Sequence, residues 1–305
     1  MARVRGAEHA FQRADYGEAE RLYGEALSGL PGVEHAPTLA AFLGLSAAQD
    51  YRRWIASLHG NLGLSRMRQR RWEDAERSLS AALELDPRSN TTRTNLGLAQ
   101  LHARRYPEAY ATLASAAEAG AESAKDRLDL GRAAYHAGFQ DRACTALRQA
   151  LCATRADPGV EAWGVALDAQ KLLARADLDR GAWSEAERRL EAVLEQAPGD
   201  AEARYFLVLA LARQGRDQEA ERERARQERD ASLHAAIQTR LLEAGDSREL
   251  STVAELYREL GLLHLAHVHY AQLAARDPRD PAARHSMRSI EALARERTAP
   301  MFEGG

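Results

Sequence analysis

Small and apolar residues return in this chain every 34 positions. Leu62-Gly63, Leu96-Gly97 and Leu130-Gly131 stand 34 apart, and so do Ala75, Ala109 and Ala143; Leu79, Leu113 and Leu147; and Ala82, Ala116 and Ala150. Four columns in one register across three units mark a supersecondary unit that buries its apolar side only against copies of itself. Residues 56–89 read as two helices. The first carries Leu62, Gly63 and Met67, a turn follows near Arg70 and Arg71, and the second carries Trp72, Ala75, Leu79, Ala82 and Leu83. That apolar spacing is helical. The unit ends at Asp86-Pro87, where proline disfavours helix at the residue before it. Gly63 and Ala75 let the two helices approach closely, and Leu79 and Ala82 fill the space against the next unit.

Composition supports helices throughout. The 305 residues exceed what one compact core usually holds, so two domains or a repeat array is expected. Ala, Leu, Arg and Glu are abundant helix formers, aromatics are 6%, and Val, Ile and Thr dominate no window. Charged residues are 29% and the net charge is −3, without the basic excess of a nucleic-acid-binding domain. Lys125 and Lys171 are the only lysines, and the arginine excess reads as coding bias. The segment from Met1 to His9 lacks the apolar core of a signal peptide. The apolar run from Leu39 to Ala48 is too short to span a bilayer. Cys144 and Cys152 lie eight residues apart on one helix, roughly 12 Å along its axis, beyond disulfide reach. They read as two small buried thiols, and the cytoplasm is the expected location.

The pattern Leu62-Gly63, Trp72, Ala75, Leu79, Ala82, Pro87 resembles the tetratricopeptide-repeat signature, followed by Leu96-Gly97, Tyr106, Ala109, Leu113 and Ala116, and by Leu130-Gly131, Ala143, Leu147 and Ala150. Weaker units hold Tyr16, Ala19, Tyr23, Ala26 and Pro31; Leu173, Gly181, Trp183, Ala186, Leu190 and Pro198; Leu207, Gly215 and Ala220; and Tyr257, Gly261, Ala266, Tyr270 and Pro278. The resemblance implies an all-α fold, a right-handed α-α superhelix of antiparallel helix hairpins with a C-terminal capping helix. Residues 1–33 form an N-terminal repeat. Residues 34–55 are an inserted helical segment, which either lengthens the next helix or stands as an extra one. Three regular repeats occupy 56–157, a linker or helix extension 158–166, and two repeats 167–234. A helical insert at 235–246 precedes the last repeat at 247–280, the cap at 281–298 and a frayed tail at 299–305. The second repeat of 167–234 is degenerate, because Arg224 and Gln227 stand at packing positions and Glu221–Arg229 is nearly all charged. Continuous packing is not expected there.

In this family the first helices line a concave face that binds an extended peptide or a helix. Carried over by register, the projecting residues are Asn61, Leu64, Met67 and Arg68; Asn95, Leu98, Leu101 and His102; Lys125, Asp129, Arg132, Tyr135 and His136; and Lys171, Arg175, Tyr205, Leu209 and Arg213. Arg68, His102 and His136 form one column. With Lys125, Arg132, Lys171, Arg175 and Arg213 they predict an electropositive trough for an acidic or carboxylate-bearing segment. The alternative is compositional, since any exposed column in an arginine-rich chain collects cations. Asn61 and Asn95 either bond a peptide backbone or are simply common at that position. The carboxylate clamp of co-chaperone members is matched only at Asn95 and Lys125. Gly60, Leu64 and Asp129 break it.

His264, His267 and His269 cluster on a second helix. By register they face outward, as solvated histidines and not as metal ligands. The chain has no phosphate loop, dinucleotide fingerprint, nucleophile elbow or zinc-protease motif, so no enzyme activity and no cofactor are expected. Gln218–Arg229 alternates Glu with Arg and reads as a salt-bridged surface helix, not a nucleic-acid site. Gly304-Gly305 reads as a tail end. The expected function is a non-catalytic scaffold or adaptor binding a protein or peptide, with no nucleic acid and no membrane span. The alternatives are an obligate structural subunit and an accessory that presents substrate to a catalytic partner.

Overall fold

The computed structural model describes residues 2–30, 48–120, 123–156, 159–243, 247–277 and 281–298, and among them there are fifteen helices and no strand. They are α1 (Ala2–Gln12), α2 (Tyr16–Ser28), α3 (Ala48–Arg68), α4 (Trp72–Leu85), α5 (Asn90–His102), α6 (Tyr106–Glu118), α7 (Ala124–His136), α8 (Gln140–Ala156), α9 (Val160–Asp179), α10 (Trp183–Gln196), α11 (Ala201–Arg213), α12 (Asp217–Glu243), α13 (Ser247–Glu259), α14 (Leu263–Arg276) and α15 (Pro281–Thr298).

Seven hairpins share one turn. A left-handed residue follows each first helix: Ala14, Arg70 and Arg104 at φ near +61°, then Gly138, Gly181, Gly215 and Gly261 at φ between +72° and +82°. Two residues before each second helix, this residue reverses the chain. The next amide then bonds back five residues to a first-helix carbonyl, Arg105 to Gln100 at 2.9 Å and Ala182 to Asp177 at 2.8 Å among them. That bond closes the helix end in a Schellman cap. Side-chain caps open several first helices. Ser89 accepts from the Thr92 amide at 3.3 Å and Asp200 from the Ala203 amide at 2.9 Å, while Ser123 and Asp126 cap each other reciprocally. Each such cap stabilises a helix by about 1 kcal/mol.

The Leu-Gly columns meet as the spacing requires. A Cβ placed on Gly63 would lie 2.6 Å from Leu79 Cγ, one on Gly97 2.6 Å from Leu113 Cγ, and one on Gly131 2.7 Å from Leu147 Cγ. Each leucine is thus seated on bare backbone of the paired helix. Ala7 and Ala254 take the glycine's place in the first and last hairpins, opposite the buried Tyr23 and Tyr270.

The chain divides into two compact units, Met1–Glu122 with His136–Gly138, and Ser123–Tyr135 with Phe139–Gly305. In the first, α1–α2, α3–α4 and α5–α6 pack as pairs and each pair packs on the next, as in a helical solenoid. Its cores hold Ala7, Tyr23, Leu58 and Leu62, and Ala75, Leu79, Leu96 and Ala99. In the second unit one core runs from Trp163 through Leu190, Leu207 and Tyr257 to Ala294.

The breaks in the period are helix extensions. Residues 48–55 lengthen α3, residues 160–166 lengthen α9, and α12 runs unbroken to Glu243 through most of the expected insert. Residues 31–47, 244–246 and 299–305, on which the rest of those expectations fall, lie outside the described residues. The doubted charged stretch does pack: α12 lies against α11. The buried Arg204 of α11 pairs with Glu223 at 2.6 Å and Asp230 at 3.1 Å, so ion pairs replace the expected apolar contacts. The cysteine expectation is half corrected. Cys144 is buried but Cys152 is exposed, and both are free. Eight residues advance a helix by two turns and about 80°, enough to leave the buried stripe.

Candidate partner-binding surface

In the first unit the expected residues lie on α3, α5 and the end of α7. Arg68 and His102 are exposed, while Leu64, Asn95 and Leu98 are half-buried. Met67 packs into the Leu79–Leu96 core, and Leu101 is buried. Asn61 hydrogen-bonds the hydroxyl of Tyr23, whose pKa burial raises, so its side chain supports the hairpin interior. The histidine column is held by stacking. His102 lies on Trp72 with ring centroids 4.5 Å apart and His136 on Tyr106 at 4.8 Å. Each imidazole therefore bridges one repeat to the next.

In the second unit Arg132, Lys171 and Arg175 are committed to neighbours. Arg132 pairs with Asp129 at 3.0 Å and Asp168 at 3.4 Å. Lys171, 13% exposed, meets Asp168 at 3.2 Å and Asp200 and Glu202 at 3.0 Å each. Burial works against its charge, but those three carboxylates outweigh it and hold the ammonium above the ordinary lysine value. Burial also raises the carboxyl of Asp129, with Arg132 and Lys125 offsetting it only in part. The Arg175 guanidinium lies over two rings, 5.2 Å from Tyr135 and 5.5 Å from Phe206. Tyr135 is buried, donates to Asp179 at 2.5 Å and has its pKa pushed up to about 12 by burial and that acceptor. Asp129, Asp168, Asp200 and Glu202 thus surround Arg132 and Lys171. Register identified the positive column but not the carboxylates that adjacent helices bring to it. Lys125 and Arg213 are exposed, as are Tyr205 (48%) and Leu209 (37%), one turn apart on α11.

The outward-histidine expectation is corrected as well. His264 is largely buried, edge-on to Trp163 with centroids 5.8 Å apart, and burial lowers its pKa. His269 stacks on Tyr257 at 5.4 Å, and His267 lies 3.2 Å from Glu291. α9, which covers His264, comes from far back along the chain, whereas His267 meets α15, the next helix. Among the described residues no group of three His, Cys, Asp or Glu side chains is placed to hold a metal, and no helix is long and apolar enough to cross a membrane.

A repeated staple went unread in the sequence. The fifth residue of a second helix is Glu20, Glu76 or Glu187, and each carboxylate accepts from the next repeat. Glu20 takes Arg66 at 3.0 Å and Arg71 at 2.7 Å, Glu76 takes Arg105 at 2.7 Å, and Glu187 takes Gln214 at 2.8 Å and Arg216 at 2.5 Å. The legible signal is an arginine just before the next second helix, at Arg71, Arg105 and Arg216.

A tetratricopeptide-repeat family model matches residues 61–126 and 171–234. A tetratricopeptide repeat protein from Parabacteroides merdae shares the fold with a TM-score of 0.53 at 13% identity, over 95% of this chain and 97% of that one. The MamA protein aligns with a TM-score of 0.50 at 19% identity over 59% of this chain and 94% of its own. MamA from Desulfovibrio magneticus gives 0.51 at 15%, over 58% and 95%. No curated protein matches the chain. With the 34-residue period, the seven like-capped hairpins and the matched segments together, this chain has the tetratricopeptide-repeat fold, and residues 61–126 and 171–234 match that family.

Proposed function

We propose that this protein is a non-catalytic scaffold that holds a peptide or helix of another protein against its first helices. The observation that carries the reading is on α11, where Tyr205 and Leu209 stand exposed on a first helix. An aromatic and an aliphatic side chain one turn apart supply anchor area for a partner's apolar residues. The charge preference is weaker than the sequence implied. With Arg132 and Lys171 paired, an acidic partner at α11 would be steered by the exposed Lys125 and Arg213 of the same unit. A cytoplasmic setting belongs to the same proposal, since the exposed thiol of Cys152 stays free in a reducing compartment.

Peptides selected from a displayed library against the full chain test the reading. Tyr205→Ala with Leu209→Ala should weaken selected binders by tenfold or more, about 1.4 kcal/mol. Arg213→Glu should weaken only acidic ones. Binders indifferent to all of these substitutions would end the proposal.

A further inference from the structure

One arginine of the second unit is held by rings and not by acids. The Arg175 guanidinium lies 5.2 Å from the centre of the Tyr135 ring and 5.5 Å from that of Phe206. Phe206 in turn meets Tyr205 edge-on, with centroids 5.4 Å apart. Stacked rings cover the faces of a guanidinium, while its N–H donors point outward in the plane. Part of that edge bonds the Tyr135 hydroxyl. The nearby carboxylate, Asp179, accepts from the same hydroxyl at 2.5 Å. On the same helix Lys171 and Arg180 have carboxylates at 3.0 Å and 2.5 Å. Among the described residues no Asp or Glu stands within ion-pair distance of Arg175. Its side chain is half-buried, so the rest of the edge reaches the surface.

That edge lies beside the exposed apolar pair of α11. Arg175 and Leu209 hold the same place in consecutive repeats, six residues before the left-handed Gly181 and Gly215. Their helices, α9 and α11, pack on each other, and packed helix axes lie about 8–10 Å apart. α11 presents Tyr205, Leu209 and Arg213 as one exposed stripe, with Glu202 exposed at its start. Glu202 repels a carboxylate at that end, and Arg213 attracts one at the other. The stripe continues on both sides of Leu209, so a segment lying on it runs past Arg175. A side chain, and not a chain end, then meets the guanidinium.

We propose that Arg175 determines the specificity of this surface: the partner segment carries an Asp or Glu whose carboxylate takes the open edge of Arg175, beside an apolar residue seated on Tyr205 and Leu209. This names the partner chemistry of the binding proposed above and rests on that reading. An arginine edge pairs a carboxylate through two parallel N–H bonds. The two rings orient the guanidinium beforehand, so less freedom is lost on binding. Arg175 lies outside the carboxylate-clamp positions Gly60, Leu64, Asn95, Lys125 and Asp129.

Peptides selected against the full chain from a displayed library, with affinities read by fluorescence anisotropy, test it. Those weakened by Tyr205→Ala with Leu209→Ala should share one Asp or Glu at a fixed spacing from their apolar residue. Exchanging that acid for Asn or Gln should weaken binding to the wild type about tenfold. The same exchange should change nothing on Arg175→Gln, the signature of direct coupling. On Arg175→Lys the loss should be intermediate, since an ammonium keeps the charge without the planar fork. Arg213→Gln, which removes steering alone, should leave the wild-type difference in place. Thermal melting by circular dichroism checks each variant, and Arg175→Lys carries the comparison if Arg175→Gln does not fold. Binders at Tyr205 and Leu209 with no fixed acid overturn the inference and leave the scaffold reading standing. So does an acid whose exchange costs the same on the wild type and on the folded Arg175 variants. Binders indifferent to Tyr205 and Leu209 overturn both.

Discussion

Replacing Gly97 by alanine should destabilise the first unit, although alanine is the better helix former. The gain in helix propensity is about 1 kcal/mol. Against it stands a steric cost. The new Cβ would sit 2.6 Å from Leu113 Cγ, 2.7 Å from Cδ2 and 3.4 Å from the Leu113 amide nitrogen. Carbon atoms settle at about 3.5–4.0 Å, so the leucine must retreat by about 1 Å. Leu113 is 3% exposed and has nowhere to retreat without moving α6. Overpacking of this kind costs about 1–3 kcal/mol, and the contact sits at the severe end, so a net loss of about 1–2 kcal/mol is expected. The control is Gly24→Ala in mid-α2, where a Cβ would meet nothing within 4 Å among the described residues. It should stabilise by about 0.5–1 kcal/mol. Urea denaturation followed by far-ultraviolet circular dichroism reads both. Adding Leu113→Ala to Gly97→Ala should cost less than the two single changes summed, because the smaller side chain relieves the clash. If Gly97→Ala stabilises as Gly24→Ala does, or if the double mutant is additive, the close-approach account of the Leu-Gly column is wrong.

Arg104 holds φ near +62° where four other hairpins use glycine, so Arg104→Gly should stabilise by about 1 kcal/mol in thermal unfolding, and Gly138→Ala should lose a similar amount. Asp200→Ala removes the α11 cap and one of three carboxylates on the buried Lys171. It should cost about 2 kcal/mol, and Lys171→Met in the same chain should recover part of that in denaturant titration. Burial opposes the charge of Glu20, but its bonds from Arg66, Gln69 and Arg71 prevail and lower its pKa below the ordinary 4.5. Its stabilisation is therefore present above that value and lost as pH falls through the lower folded-state value; Glu20→Gln should flatten the acid limb of the stability profile. His264 is lowered by burial from 6.5, so the unfolded chain takes up its proton first and stability falls as pH drops below 6.5. His264→Phe should abolish that slope in pH-dependent unfolding.

Much of the fold was legible because helix pairing within a repeat is a local matter. Thirty-four residues separate each glycine from the next, and Leu79, Leu113 and Leu147 meet Gly63, Gly97 and Gly131 through the shortest connections in the chain. The period alone named the hairpins, their turns and the stripe each would bury. The candidate surface was only partly legible. Register put Arg132, Lys171 and Arg175 on first helices, but what each touches depends on Asp168, Glu202 and Phe206, on other helices.

By itself, then, the sequence determined that antiparallel helix pairs form and stack on their neighbours, since recurring small and apolar side chains leave no other way to bury the stripes. Tertiary structure alone decided where the charges cancel and where the last hairpin goes. Neither the carboxylates around Lys171 nor the seat of His264 beside Trp163 has a periodic signal. The carboxylates come from α9 itself and from the start of α11, and the seat from an extension of α9 that, in the sequence, reads only as a break in the period.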